Sequence, residues 1–369
     1  MRTFFTSTWG KLAVGAAIVV VAAILPLLNI HIPGVLPGPT YTPGAMSVMA
    51  YAMIIAALAL SYHLIFGVAG MLSFGHAMFF AAGAYGLGIL LQLLAPSGMP
   101  GEAVFLLAIV ITLVIALVLG NIVGALALRV TGISFAMVTL AFAQAANVMI
   151  RRNTGGLTGG EEGVRLEVDV VPEFMVGVVN TRNLYWMALG ILVLVYLACV
   201  WIERSRLGHV VVASRENELR VTVLGLRPYH VRLFVFGVAA VLAAVAGMGF
   251  MMLQSSATPR ISTADFTLTL LVIVVLGGVG YRWGAIVGGI VYTILDQRLA
   301  ELASSSWIAE LPAVLRIPLS EPLFILGMLF VLVVMFAPGG IVGLTHRVTR
   351  RRGGKQDADQ PEVLQDVEA

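Results

Sequence analysis

The chain alternates between long apolar runs and short polar interruptions, and this pattern predicts its elements. The apolar runs are about 20 residues long, and a helix of that length crosses roughly 30 Å of hydrocarbon. They lack the in-and-out alternation that strands of a membrane β-barrel show over roughly ten residues. The pattern therefore predicts about ten transmembrane helices, at 12–30, 47–66, 76–94, 103–128, 133–150, 184–202, 232–254, 266–281, 284–300 and 320–342.

The polar interruptions divide the chain into three parts. Residues 1–45 hold a first span and a Pro/Gly-rich loop, 46–345 a transmembrane domain, and 346–369 a polar cytoplasmic tail. The longest interruptions are 151–183 and 301–319. The N-terminal segment has the positive start of a signal peptide, but its apolar run is too long and no clear cleavage site follows, so we interpret it as an uncleaved span.

Composition supports the membrane interpretation. The 369 residues are 59% hydrophobic and 11% charged, whereas a soluble domain is usually about 25% charged. A water-exposed globule of this composition would lack the polar residues to cover its surface. Cys199 is the single cysteine, which excludes an internal disulfide and a cysteine-based metal site. The fold class is therefore all-α and polytopic.

The basic residues predict the orientation of the chain. With the N-terminus and the C-terminus both inside, 15 of the 22 Lys and Arg residues fall in inside segments. That excess follows the positive-inside rule, so the net charge of +3 reflects orientation in a membrane rather than nucleic-acid binding. It places 203–232 in the cytoplasm and 151–183 outside. The pair Arg151 and Arg152 runs against the rule.

Several kinds of chemistry are missing from the sequence. Neither of the two lysines belongs to a GxxxxGK[ST] phosphate loop, and no GxSxG elbow or HExxH helix is present. We therefore predict no catalytic residue, no metal site and no cofactor in this chain. The predicted spans are almost free of charge, with Asp296 as the nearest exception, which disfavours an ion-coupled carrier.

A few neutral polar residues lie in the spans and are candidates for a translocation path. Ser73 is a candidate N-cap for a short or broken helix that aims its positive end at polar cargo. The alternative is a polar cluster that satisfies itself or hydrogen bonds that join helices. The candidates are Ser73, His76, Asn121, Gln144 and Asn147, with Thr139 beside them.

The outer segment 153–164 is dense in glycine. Its glycines allow tight folding, so it is either a shaped surface or a flexible connector. The residues that would form such a surface are Thr158, Gly159, Gly160 and Glu161.

The segment 203–232 holds nine of the 41 charged residues in a chain that otherwise avoids charge. Its middle predicts a short amphipathic helix with Ser214 as a candidate N-cap and Gly225 as the C-cap. The apolar positions Val212, Val221 and Leu224 alternate with charged ones. Such a helix docks into a partner or lies on the lipid interface. Its mixture of Glu and Arg argues against simple attraction to anionic lipid.

Five motifs in order resemble one family: the permease subunit of high-affinity branched-chain amino acid ABC importers, of the LivM type. The resemblance implies an inner-membrane permease without an ATPase of its own. It also implies a sister permease, two cytoplasmic ABC ATPases that bind ATP, and an extracytoplasmic solute-binding protein. The motifs are GVAGMLSFGHAMFFAAGAYG at 67–86, RRNTGGLTGGEEGV at 151–164, SRLGHVVVASRENELRVTVLGLRPYHVRLFVF at 205–236, LGGVGYRWGAIVGG at 276–289 and FAPGGIVGL at 336–344.

The resemblance also implies roles for two segments. Residues 205–226, called the coupling segment below, match the segment that docks in the ATPase, and the TGG loop would face the binding protein. Urea and short-amide importers use related permeases, and a stand-alone channel for small polar solutes or a structural scaffold are alternatives from other classes. The residues at the coupling-motif positions are Arg215, Glu216, Asn217, Glu218 and Gly225.

Overall fold

The computed structural model describes residues 8–30, 36–153, 155–303, 322–336 and 339–343. The predicted tail 346–369 and most of the predicted loop 301–319 lie outside the described residues.

The described residues form twelve α-helices and one two-stranded sheet. Helix α2 continues into a π-helical turn at Leu64–Val68, and short 3-10 turns follow or precede several helices. The helices are α1 Thr8–Ile24, α2 Pro43–His63, α3 His76–Leu94, α4 Gly101–Ala127, α5 Ile133–Arg151, α6 Thr181–Arg204, α7 Arg206–Glu216, α8 Glu218–Val223, α9 Pro228–Gln254, α10 Ala264–Gly277, α11 Arg282–Ala303 and α12 Pro322–Phe336; the strands are β1 Val164–Arg165 and β2 Ser256–Ala257.

Six of the predicted spans are confirmed as helices long and apolar enough to cross a membrane. They are α2 to α6 and α9, some with their flanking turns. Helices α10 and α11 pass that test only together, and they are bent by 117° at the break between them. The described residues of α1 and α12 cover 17 and 15 residues. The chain is a helical multi-pass membrane protein, and the total of ten spans stays a prediction.

The core of the fold is built around α2 and α9. Helix α9 packs against α3, α4 and α2, and α2 also packs against α6 and α11. The α3–α9 crossing is close because each helix offers a glycine: a Cβ atom at Gly83 would lie 2.1 Å from the carbonyl oxygen of Ala244, and one at Gly247 would lie 2.0 Å from that of Phe80. Small residues let helix backbones approach in lipid, where packing drives association.

The sheet joins two connections at one end of the bundle. Val164 pairs with Ala257 and Arg165 with Ser256 in antiparallel register, which ties the loop after α5 to the segment after α9. At the other end, α7 contacts the turn that follows α2. The predicted outer loop and the predicted cytoplasmic segment therefore lie at opposite ends of the bundle.

Candidate functional site

The charged segment between α6 and α9 folds as two helices rather than the single helix that its sequence predicts. Helix α7 begins after Ser205, whose hydroxyl accepts a hydrogen bond from the Gly208 N–H, as an N-cap does. Asn217 then takes an extended conformation with φ −155° and caps α8, accepting from the Arg220 N–H at 2.8 Å. The predicted cap at Ser214 is wrong, because Ser214 is buried within α7 and its hydroxyl donates to the Val211 carbonyl.

Gly225 ends the second helix, as predicted. Its φ of +80° is the left-handed conformation that glycine adopts without a Cβ penalty. The Leu226 N–H bonds the Val221 carbonyl and the Gly225 N–H bonds the Thr222 carbonyl, which is the Schellman arrangement at a helix end. Pro228 then opens α9 at a position where its missing N–H has no helical partner.

The outer face of α8 is apolar and exposed. Leu219, Val223 and Leu224 are 75%, 80% and 72% exposed, whereas Val221 is buried against the bundle. Of the three predicted apolar positions, Val221 therefore points inward, while Val212 and Leu224 point outward. Large apolar side chains grouped on an exposed surface are typical of a protein contact.

The inner face of the same segment is fastened to the bundle by two arginines. Arg215 of α7 donates to the Gly67 carbonyl beyond α2, and its side chain covers Gly70, where a Cβ atom would lie 2.6 Å from the Arg215 Cγ atom. Arg232 of α9 donates to the Ser214 carbonyl at 2.8 Å. Arg215 is exposed, but its guanidinium contacts the turn that follows α2.

The remaining coupling-motif residues have separate roles. Glu218 accepts from Arg232 at 2.9 Å, Asn217 caps α8, and Glu216 is exposed at the end of α7.

A cavity of about 620 Å³ lies under this segment. Its walls are the loop after α2, the α4–α5 connection and the start of α9, and the ion pair of Glu218 with Arg232 also lines it. The cavity therefore extends from the coupling segment to Phe74 and Phe135 among the transmembrane helices.

A buried polar cluster lies at the connection between α2 and α3. The His76 imidazole Nε2 lies 2.8 Å from the Ser61 hydroxyl, and the Tyr62 hydroxyl donates to the Ser73 carbonyl at 3.0 Å. Gly75, not Ser73, occupies the N-cap position of α3, so the predicted cap at Ser73 is wrong; the Ser73 hydroxyl instead accepts from the Gly75 N–H at 3.3 Å.

Two threonines from other helices accept hydrogen bonds from main-chain N–H groups at this connection. The Phe74 N–H donates to the Thr139 hydroxyl of α5, and the Ala77 N–H donates to the Thr267 hydroxyl of α10, each at 3.1 Å. The start of α3 is thus a meeting point of neutral hydrogen-bonding groups from α2, α5 and α10. Sequence reasoning missed Ser61, Tyr62 and Thr267, because a hydroxyl in an apolar run carries no local signal of its partner.

The other predicted path residues do not join this cluster. Asn147 donates to the Pro259 carbonyl at 3.1 Å and to the Ser262 hydroxyl at 2.7 Å, so it fixes α5 to the turn before α10. Asn121 donates to the Leu117 carbonyl of its own helix. Gln144 is exposed on α5. The structure brings Ser73 and His76 together with Thr139 and leaves these three apart.

The glycine-dense outer loop is a shaped surface rather than a slack connector. The Asn153 side-chain oxygen accepts from the Thr158 and Gly159 N–H groups at 2.9 and 3.1 Å. Gly163 has φ +77° and packs so closely on β2 that a Cβ atom would lie 2.0 Å from the Ala257 carbonyl oxygen. Gly160 also has positive φ, and Glu161 pairs with Arg151 at 3.3 Å.

A family model decides the class of the molecule. The model of the branched-chain amino acid transport system / permease component matches residues 44–341, which include the coupling segment, the polar cluster and the outer loop. The chain belongs to this family.

Named relatives lie in the same family. The chain is 25% identical to the high-affinity branched-chain amino acid transport system permease protein LivM of Escherichia coli, over 86% of this chain and 74% of that protein. It is 24% identical to the permease protein BraD of Pseudomonas aeruginosa and 26% identical to LivH of E. coli, each over 78% of this chain and 91% of the relative. This permease therefore aligns with its relatives across most of its helices.

Proposed function

We propose that this permease is the transmembrane subunit of an ATP-driven ABC importer for branched-chain, neutral amino acids. The observation that carries the proposal is the two-sided coupling segment. Its outer face offers Leu219, Val223 and Leu224 for docking, and its inner face is tied to the bundle by Arg215 and Arg232. A segment built in this way is suited to receive movement from a separate ATPase and to pass it to the spans.

The proposed path runs along the polar cluster and the cavity that extends from the coupling segment. The groups of the cluster are hydroxyls, an imidazole and main-chain atoms, whereas the charged side chains Arg215, Glu218 and Arg232 line the cavity next to the coupling segment. Neutral groups and helix ends can hold a zwitterion without a buried counter-charge. This arrangement favours a path for an amino acid over a carrier driven by ions.

The exposed face of α5 supports the proposal of a sister permease. Helix α5 is the least buried of the six candidate spans, and Gln144 is exposed on it among Met137, Ala141 and Val148. An amide that faces lipid is unfavourable because lipid offers no hydrogen-bond partner. We infer that a second permease covers this face and supplies one.

The remaining parts of the proposal follow the family. Two cytoplasmic ATPase subunits bind ATP for the transporter, a solute-binding protein docks on the outer loop with Thr158 to Glu161, and the chain has no enzyme activity. The permease lies in the inner membrane of a bacterium with ten spans, and both termini, including the tail 346–369, lie in the cytoplasm. Residues 46–345 form the permease domain, preceded by the first span and loop of 1–45.

The substrate class rests on the names of the relatives, which are all branched-chain amino acid permeases. A urea importer is the competing substrate assignment. Uptake of radiolabelled leucine and urea, compared in a strain with and without this chain, separates the two. Loss of leucine uptake alone is expected, and loss of urea uptake alone would contradict the assignment.

The coupling role is tested by removing the apolar face of α8. In the variant Leu219→Ser/Val223→Ser/Leu224→Ser, we expect the ATPase to stop co-purifying and leucine uptake to fall to background. The matched control is Val178→Ser/Val179→Ser, which removes two exposed apolar side chains at the other end of the molecule. Wild-type uptake by the α8 variant would refute the proposal, as would substrate passage through the chain alone without ATP.

A further inference from the structure

Glu203 lies between the His63 imidazole and the Arg282 guanidinium at the end of the bundle that carries α7. It lies in the last turn of α6, just before the Ser205 cap of α7. One carboxylate oxygen lies 3.5 Å from the His63 Nε2 atom, and the other lies 3.2 Å from the Arg282 Nε atom. The cluster therefore joins the end of α2, the end of α6 and the start of α11.

This cluster is more enclosed than the other ion pairs of the described residues. The side chains of His63, Glu203 and Arg282 are 1%, 21% and 29% exposed, whereas the Arg151–Glu161 and Arg232–Glu218 pairs each include a side chain that is half exposed or more. A charge in such surroundings is unfavourable without its partner, so the three side chains are held together.

The position of the cluster gives it a mechanical consequence. Glu203 lies two residues before the start of the coupling segment, so a movement of α7 reaches its carboxylate through a single short connection. On the other side, His63 directly follows Ser61 and Tyr62, which bond His76 and Ser73 in the polar cluster. Arg282 is the first residue of α11, next to the bend that separates it from α10.

We propose that Glu203 is a positioning residue that transmits the movement of the coupling segment to α2 and α11. This inference rests on the proposed ATP-driven function. It assigns the transmission to an ion cluster that no pattern in the sequence predicts, because its three members lie on distant segments. It also connects the bent α10–α11 pair to the coupling segment through Glu203 at the end of α6.

The test uses the assembled importer, purified through a tag on this chain and reconstituted in liposomes with its binding protein. The readout is leucine transported per ATP hydrolysed. For Glu203→Gln we expect ATPase association and hydrolysis to persist while this ratio falls about 5-fold or more, the lower end of typical coupling between sites. Glu102→Gln, an exposed carboxylate at the start of α4, is the control and should keep the wild-type ratio.

A charge-exchange variant distinguishes loss of the ion pair from simple misfolding. Glu203→Arg and Arg282→Glu each place like charges together and should each lower the ratio, whereas the double variant restores an opposite pair and should recover it in part. His63 remains compatible with either partner, because a neutral imidazole both donates and accepts. A wild-type ratio in Glu203→Gln, or a double variant no better than the single ones, would overturn the inference. Failure of the wild-type chain to retain any ATPase would instead refute the proposed function.

Discussion

Arg232 of α9 donates to Glu218 of α8 across 2.9 Å, and the same guanidinium reaches the Ser214 carbonyl of α7. One side chain therefore joins both helices of the coupling segment to the start of a helix that runs through the core. Arg presents several donors in a fixed planar group, so it can hold two acceptors at once.

Replacing Arg232 with Lys should loosen the coupling segment although the charge is kept. A lysine ammonium lacks the planar fork that lets Arg232 reach Glu218 and Ser214 together. We expect lower leucine uptake with the ATPase still bound, and faster hydrogen exchange across 206–223. Arg220→Lys, on the exposed side of the segment, is the control and should change neither measurement.

Arg215→Ala should impair transport more than Glu216→Ala does, because only Arg215 bonds the turn after α2. Arg215 bonds the Gly67 carbonyl and covers Gly70, so its loss frees the turn after α2. Uptake and ATPase binding, measured on the same membranes, check this. Equal effects of the two variants would show that the Arg215–Gly67 contact does not matter for transport.

The sequence predicts some of these features well and others not at all. The positions of α2 to α6 follow from apolar runs bounded by polar or Gly/Pro residues, because backbone hydrogen bonds must be satisfied within each span. Gly225 was predictable since a helix end needs positive φ. The prediction of Ser214 as an N-cap was wrong, because the helix begins earlier, after Ser205, whose hydroxyl caps it. The neighbours of Glu203 were not predictable, since tertiary packing alone brings His63 and Arg282 to it.

Gly163→Ala should disrupt the outer loop. The substitution combines positive φ with a Cβ atom 2.0 Å from the Ala257 carbonyl oxygen, so β1 must separate from β2. The control is Gly177→Ala, which also has positive φ but has open space around its Cβ position. We expect the first variant alone to lose affinity for the solute-binding protein, measured on purified permease. Similar losses in both variants would show that backbone strain, not the contact with β2, is responsible.

Gly247→Ala should destabilise the bundle. Its Cβ atom would lie 2.0 Å from the Phe80 carbonyl oxygen, and a main-chain atom of α3 moves only if the helices separate. Overpacking of this kind costs about 1–3 kcal/mol. Gly190→Ala on α6 has open space and should be neutral or stabilising, because alanine has the higher helix propensity. Thermal unfolding in detergent compares the two variants.

Thr267→Val should destabilise the polar cluster and lower transport. The valine has nearly the same shape but leaves the buried Ala77 N–H at the start of α3 without its acceptor. An unsatisfied buried donor costs about 1–3 kcal/mol. Thr112→Val is the matched control: Thr112 is also fully buried, but its hydroxyl donates to the Ala108 carbonyl of its own helix. We expect a larger loss of thermal stability and of leucine uptake in Thr267→Val, because it alone removes a bond between α3 and α10. If the two variants lose the same stability and uptake, the bond from Ala77 to Thr267 does not hold the start of α3 in place.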